Sequence, residues 1–89
     1  MIVHDASAKR FTSDVDGFQS VLDYRLEESI MTITHTGVPA QVAGRGIAGE
    51  LMKSALATAR AAGWKVRPSC SYAIAFMAKH PEFEDLRSN

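Results

Sequence analysis

The first half of the chain has the two-residue hydrophobic period of β-strands. Across residues 18–26 one face carries an apolar set with one serine, and the other carries Gln19, Asp23 and Arg25 with Val21. Such alternation is typical of a half-buried strand. Shorter strands are predicted at residues 2–4 and 9–13, and a β-branched run predicts another at residues 30–38. Turns at 5–8, 14–17 and 27–29 would join these segments into an antiparallel meander.

The second half changes to a helical period. One stripe contains Ile47, Ala48, Leu51, Met52, Ala55, Leu56 and Ala59. This spacing predicts an amphipathic helix of about four turns, with Gly63 as its C-terminal cap. A strand is predicted at residues 64–67, so the strand–helix–strand order favours a right-handed crossover with parallel strands.

The C-terminal quarter predicts shorter helical pieces. Pro68 would stop the preceding strand, and Ser69 or Ser71 would cap a helix over residues 72–79. Pro81 limits that helix, and a short helical turn is expected at 81–86. Residues 87–89 are expected to fray. We therefore predict one α+β domain over residues 1–89, with a mixed, mainly antiparallel sheet, one long helix and one or two short helices.

Composition narrows the function classes. The 89 residues include ten basic and ten acidic side chains, and a net charge of zero argues against a general nucleic-acid binder. No apolar run approaches the roughly 20 residues that span a bilayer, and the N-terminus does not resemble a signal peptide. We expect a cytoplasmic protein without membrane contact. The single cysteine and the scattered His4, His35 and His80 indicate no zinc site.

The candidate ligand-binding segment is the turn Gln41-Val42-Ala43-Gly44-Arg45-Gly46. It lies between a predicted strand and the start of the long helix. A helix N-terminus leaves backbone N–H groups unpaired and favours negative charge, so a phosphate group is the expected ligand. Gly44 and Gly46 let a phosphate approach the backbone, and the guanidinium fork of Arg45 suits phosphate oxygens.

Other phosphate loops fit this turn less well. The glycines of segment 44–49 are not followed by the Lys and Ser/Thr of a P-loop. Gly44, Gly46 and Gly49 do match a dinucleotide fingerprint. However, residues 64–67 lack the acidic residue expected about 20 positions on, and a chain of this size cannot hold both mononucleotide halves. The remaining alternative is a plain helix-entry loop whose glycines serve only the turn.

The motif Gln41-x-x-Gly44-x-Gly46 resembles the Q/R-x-x-G-x-G/A acyl-CoA pyrophosphate loop of the GNAT acetyltransferase superfamily. The order and spacing of four further segments resemble a small branch of stand-alone domains in that superfamily. These segments are His35-Thr36-x-Val38-Pro39, Gly44-Arg45-Gly46-Ile47-Ala48, Pro68-Ser69-Cys70-Ser71-Tyr72 and His80-Pro81-Glu82-Phe83. The resemblance covers about residues 2–86.

The resemblance implies a reduced GNAT fold that binds acetyl-CoA as co-substrate. The sheet would splay where the strand ending at Val38 meets the strand of Val66, and CoA would enter that opening. By the same resemblance the backbone of Thr36, Gly37 and Val38 would pair with the pantetheine arm. N–H groups from Val42 to Gly46 would hold the pyrophosphate.

Three residues are catalytic candidates. Cys70 lies just before a predicted helix, where the thiolate is favoured, and the resemblance implies that it is catalytic. Its alternative is a buried structural thiol. In the rival mechanism an amine attacks bound acetyl-CoA directly, and a base removes the amine proton. His35, predicted on the face of Met31 and Ile33, is one candidate for this base, and a water molecule is the other. Tyr72 could protonate the departing CoA thiolate, a role implied by the resemblance, or simply pack in the core.

The leading hypothesis is an acetyl-CoA-dependent N-acetyltransferase that acts on an amine of a small molecule or protein. The alternative from another class is a CoA-binding or regulatory module with little catalysis, because the acceptor-gripping N-terminal helices of larger GNAT enzymes are missing. A weaker third hypothesis is a small nucleotide-binding interaction domain. Neither the acceptor nor the oligomeric state follows from the sequence.

Overall fold

The computed structural model describes residues 1–88. Its elements follow one another as β1 (Ile2–Asp5), β2 (Arg10–Val15), β3 (Phe18–Glu27), β4 (Ile30–Gly37), a 3₁₀ turn (Ala40–Val42), α1 (Ile47–Ala62), β5 (Lys65–Pro68), α2 (Ser71–Lys79) and a 3₁₀ helix (Pro81–Leu86). The protein is therefore a mixed α+β fold, as predicted.

The five strands form one sheet in the order β1-β2-β3-β4-β5. The first four are antiparallel neighbours, and β5 pairs with β4 in parallel after the α1 crossover. The predicted meander and the predicted parallel pairing after the crossover are confirmed. The β2–β3 turn is shorter than expected, because Asp14 and Val15 pair with β3 and leave only Asp16 and Gly17 at positive φ.

Helix α1 covers one face of the sheet, which we call the inner face. The side chains that it buries, from Leu51 to Ala59, match the predicted stripe. They meet alternate strand residues such as Phe11, Leu22 and Ile33, each at most 1% exposed. Helix α2 packs against α1 and contributes Phe76 to the same core. The opposite side of the sheet is called the outer face.

A bulge in β4 overturns the predicted placement of His35. The sequence put His35 on the face of Met31 and Ile33. In the structure Asp23 pairs with His35 whereas Tyr24 pairs with Ile33, so the register shifts between neighbouring β3 residues. Thr34 is the extra residue, and an extra residue reverses the alternation beyond it. His35 consequently lies on the outer face and Thr36 on the inner face.

The cap of α2 also differs from the prediction. The capping residue is Cys70, whose Sγ accepts a hydrogen bond from the Ala73 N–H at 3.4 Å. Ser71 is already the first helical residue, and the Ser69 N–H donates to the Ile33 carbonyl at 3.0 Å. Ser69 therefore extends the β4–β5 pairing, and neither serine caps the helix.

The C-terminal segment is held in place at two points. Asp85, in the 3₁₀ helix, accepts from Arg60 of α1 at 2.8 Å. Arg87 bridges to Val66, and the Ser88 N–H donates to the Val66 carbonyl at 2.7 Å. The fraying predicted for residues 87–89 is therefore wrong for Arg87 and Ser88, and Asn89 lies outside the described residues. Within residues 1–88, no helix is long and apolar enough to cross a membrane.

Candidate functional site

The sheet opens between β4 and β5. Pairing of these strands ends at Ile33 with Pro68, and the Ser69 N–H adds one last bond to the Ile33 carbonyl. Beyond that point residues 34–37 of β4 continue without a β5 partner within residues 1–88. We call this opening the β4–β5 cleft. It exposes a strand edge whose backbone groups can pair with an extended ligand.

The loop from 41 to 46 joins this cleft to α1. Val42 is buried at 1% exposure and anchors the loop, while its N–H donates to the Pro39 carbonyl at 3.1 Å. Gly44 and Gly46 have φ of 81° and 77°, and Gly46 is the N-cap of α1. From Gly44 to Gly49 the backbone N–H groups make no hydrogen bond within residues 1–88. Their dipoles and that of α1 favour an anion here.

The two loop glycines stand in open space. A Cβ atom built on Gly44 or Gly46 would meet no atom within 4 Å. Positive φ therefore explains glycine at both positions, and the same lack of side chains leaves the backbone accessible. Gln41 is exposed on the same loop. This arrangement offers the backbone donors of a phosphate-binding loop.

Arg45 has a partner that the sequence did not indicate. Its Nη1 lies 2.7 Å from Oδ2 of Asp16, in the β2–β3 turn. The ion pair is about half exposed on each side, and one contact leaves other N–H groups of the fork available to a second anion. No local pattern links positions 29 residues apart, so only the tertiary fold reveals this tie between loop and hairpin.

Cys70 and Thr36 meet at the mouth of the cleft. Cys70 Sγ lies 3.5 Å from Thr36 Oγ1 and 3.4 Å from the Ala73 nitrogen. Both neighbours can donate to sulfur, and the thiol is only partly buried. The sequence assigned Thr36 a backbone role, and its side-chain contact with Cys70 is a feature that sequence reasoning missed.

His35 is near the cleft but on the other side of β4. Its ring lies over Gly37, where a Cβ atom would be 3.0 Å from Nε2. The neighbouring residue in register is Asp23, whose carboxylate is already bound by Arg10 at 2.6 Å. Because His35 and Thr36 point to opposite faces, His35 and Cys70 do not form a nucleophile–base pair.

Tyr72 lies at the first turn of α2 and faces α1. It is 37% exposed, so it is not a core residue. Its hydroxyl is 3.6 Å from the position that a Cβ atom on Gly49 would occupy. Partial burial raises the pKa of Tyr72 above its ordinary value, which keeps the phenol protonated near neutral pH. A proton donor thus stands beside the first turn of α1.

The comparisons with known proteins agree with this architecture. A family model described as GCN5-related N-acetyl-transferase matches residues 10–86. The chain belongs to the GCN5-related N-acetyltransferase family. The match includes the loop, the cleft and α2, so this family assignment covers all the candidate residues.

A solved structure extends the comparison to three dimensions. It is the solution structure of a GCN5-like putative N-acetyltransferase from Staphylococcus aureus, similar at 25% sequence identity and a TM-score of 0.80. The similarity covers 100% of this chain and 88% of that one. A search of curated proteins finds no match to the chain. The Pro68-Ser69-Cys70-Ser71-Tyr72 motif as the mark of a branch stays a prediction.

Proposed function

We propose that the protein is an acetyl-CoA-dependent N-acetyltransferase that transfers acetyl groups to an amine. The observation that carries this proposal is the set of unpaired N–H groups from Gly44 to Gly49, set directly beside the open edge of β4. A pyrophosphate and an extended amide-bearing arm are the two parts of CoA that such a pair of features would hold.

Each part of the ligand has a candidate partner in the chain. The loop N–H groups and the free donors of Arg45 would hold the pyrophosphate, with Gln41 at the loop entrance. The backbone of Thr36, Gly37 and Val38 would pair with the amide groups of the pantetheine arm. The Val42 and Ala43 N–H groups already donate to the Pro39 and Ala40 carbonyls, at 3.1 and 3.3 Å, so the donors available to a pyrophosphate begin at Gly44.

Cys70 is our candidate nucleophile. Its thiolate would attack the thioester carbonyl, forming S-acetyl-Cys70 and breaking the carbon–sulfur bond to CoA. The departing CoA thiolate would take a proton from the Tyr72 hydroxyl or from water. A neutral amine would then attack the S-acetyl carbonyl and release the Cys70 thiolate, and the amine proton would pass to solvent or to a base.

Direct attack by the amine on bound acetyl-CoA is the competing mechanism. His35 supports it, because its ring nitrogens have no hydrogen-bond partner within residues 1–88 and it lies at the cleft. In that case Cys70 would serve only as the α2 cap. Cys70 and His35 lie on opposite sides of β4, so a substitution of either residue tests one mechanism without altering the other candidate.

Mass spectrometry after incubation with acetyl-CoA alone tests the covalent route. We expect the wild type to gain one acetyl group on Cys70. Cys70→Ser is the informative variant, since serine preserves an N-cap oxygen for Ala73 and removes the thiol. Loss of both adduct and turnover supports the nucleophile, whereas undiminished turnover in this variant assigns the chemistry to direct attack.

One observation favours a second candidate function. Strands β1 and β2 are joined by a turn of residues 6–9, with no helix between them to grip an acceptor. A module that binds CoA but catalyses little acetyl transfer would fit a fold without helices between β1 and β2. CoA binding without an adduct and without turnover across a panel of primary amines would establish that alternative.

A further inference from the structure

The outer face of the sheet carries polar side chains next to the cleft. Helix α1 packs on the inner face, and α2 and the 3₁₀ helix Pro81–Leu86 pack against α1. Within residues 1–88, no helix therefore lies over the outer face. A substrate can reach the open edge of β4 from this side without displacing any element.

Strand register places two arginines on either side of one threonine. Arg25 of β3 pairs with Thr32 of β4, and Thr32 pairs with Arg67 of β5. The backbones of Arg25 and Arg67 are thus two interstrand spacings apart, roughly 10 Å. Thr32 is 6% exposed although it lies on the uncovered face, because its neighbours in this row are the two long side chains.

The positive charge of Arg25 is not neutralised by an ion pair with a neighbouring carboxylate. Arg25 makes no ion pair with any other residue of the stretch 1–88. Two outward acids flank Arg25 along β3: Asp23 is held by Arg10 through two contacts of 2.6 and 3.3 Å, and Glu27 forms no ion pair with Arg25. This part of the face therefore attracts an anion.

We propose that the Arg25–Thr32–Arg67 row binds a carboxylate of the acyl acceptor, so that the acceptor is an amine that carries a carboxylate. The inference rests on the proposed acetyltransferase function and names its substrate class. A guanidinium fork matches a carboxylate in geometry as well as in charge, which makes arginine well suited to this role.

The position of His35 sets where the amine would lie. His35 belongs to the adjacent outward row, with Asp23 and Arg10. Neighbouring rows on one face of a strand are about 6.6 Å apart. A carboxylate above Thr32 would therefore place an amine a few methylene groups away beside His35, the candidate base for direct attack on acetyl-CoA bound along the unpaired stretch of β4.

Steady-state acetylation of two matched amines tests the inference. The probes are 4-aminobutanoate and its neutral amide, 4-aminobutanamide, each with acetyl-CoA and wild-type protein. We expect kcat/KM for the acid to exceed that for the amide about fivefold, the effect of one exposed charged contact. Arg25→Gln should bring the acid-to-amide ratio close to one. The matched control is Lys53→Gln, which removes an exposed cation of α1 and should keep the wild-type ratio.

Two outcomes separate failure of the inference from failure of the proposed function. Equal kcat/KM for acid and amide, or a ratio that Arg25→Gln leaves unchanged, overturns the carboxylate site while acetyl transfer stands. Absence of transfer to either amine counts against the function. In that case NMR titration of the protein with 4-aminobutanoate in the presence of CoA still decides the site. Shifts of the Thr32 and His35 amides with the acid but not the amide would support it, and no shifts would overturn it.

Discussion

At the residue scale, the Ser20 hydroxyl is buried in the core without a hydrogen-bond partner among residues 1–88. Ser20 is 0% exposed on the inner face, and its Oγ has no hydrogen-bond partner in the structure of residues 1–88. A buried unpaired hydroxyl loses its water contacts without replacement. The alternation of β3 predicted that Ser20 faces inward, but it did not predict that no partner would be there.

We expect Ser20→Ala to raise the free energy of unfolding by about 1 kcal/mol, because it removes the unpaired hydroxyl and leaves a small side chain. Urea denaturation measures the change. Ser13→Ala is the control, since Ser13 pairs with Ser20 in register and is 5% exposed. We expect a near-zero change for that variant. A loss of stability in Ser20→Ala would show that the hydroxyl has a partner, such as a buried water.

Tyr24 gives the protein a pH-dependent contribution to stability. It is 4% exposed, and its hydroxyl lies 2.6 Å from Nε2 of His4. Burial, and secondarily the charge of Asp5, raises the pKa of Tyr24 above the ordinary 10.0. The folded state therefore favours the protonated phenol. This stabilisation is complete below pH 10.0 and is lost as pH rises through the folded-state pKa.

We expect the free energy of unfolding to fall with pH above 10.0, and Tyr24→Phe to flatten that fall. Urea titrations at several alkaline pH values give the slopes. Tyr72→Phe is the comparison variant and should flatten the fall less, because Tyr72 is 37% exposed and solvent screens its titration. A slope that Tyr24→Phe leaves as steep as in the wild type would contradict the assignment to Tyr24.

At the scale of elements, the loop from 41 to 46 can be tested apart from the fold. Gly46 caps α1 at φ 77°, and open space surrounds its α-carbon. Asparagine tolerates positive φ and is a favourable N-cap, so Gly46→Asn should preserve α1. Its side chain would nevertheless stand among the N–H groups that we assign to phosphate.

We expect Gly46→Asn to weaken CoA binding about tenfold, through the loss of charge-assisted hydrogen bonds. Its free energy of unfolding should stay close to that of the wild type. Gly17→Asn is the control, because Gly17 also has positive φ and open space but lies in the β2–β3 turn. Equal CoA affinity for wild type and Gly46→Asn would remove the loop from the binding site.

The elements that the sequence predicted well are those fixed by local pattern. The α1 stripe, its Gly63 cap and the alternation of β3 follow from neighbours a few residues apart. The bulge at Thr34 does not, because it depends on how β4 fits against β3. That one residue moved His35 to the outer face, opposite the contact between Thr36 and Cys70.

At the scale of the whole molecule, the fold brings distant segments to one cleft. Cys70 reaches Thr36 across 34 positions, and the Gly49 turn of α1 meets Tyr72 of α2. The loop motif predicts an anion site from local sequence alone, since it contains its own glycines and helix start. The side-chain contacts of the cleft depend on the α1 crossover and the short β4–β5 pairing, which no local pattern encodes.

Calorimetric titration of the protein with CoA and with acetyl-CoA tests the central claim most directly. We predict saturable binding of both ligands at one site per chain, weakened by added salt because phosphate contacts contribute. Gly46→Asn should reduce the affinity and Gly17→Asn should leave it unchanged. Absence of binding by both ligands, in protein shown to be folded, would contradict the assignment of the loop and of the β4–β5 cleft to coenzyme A.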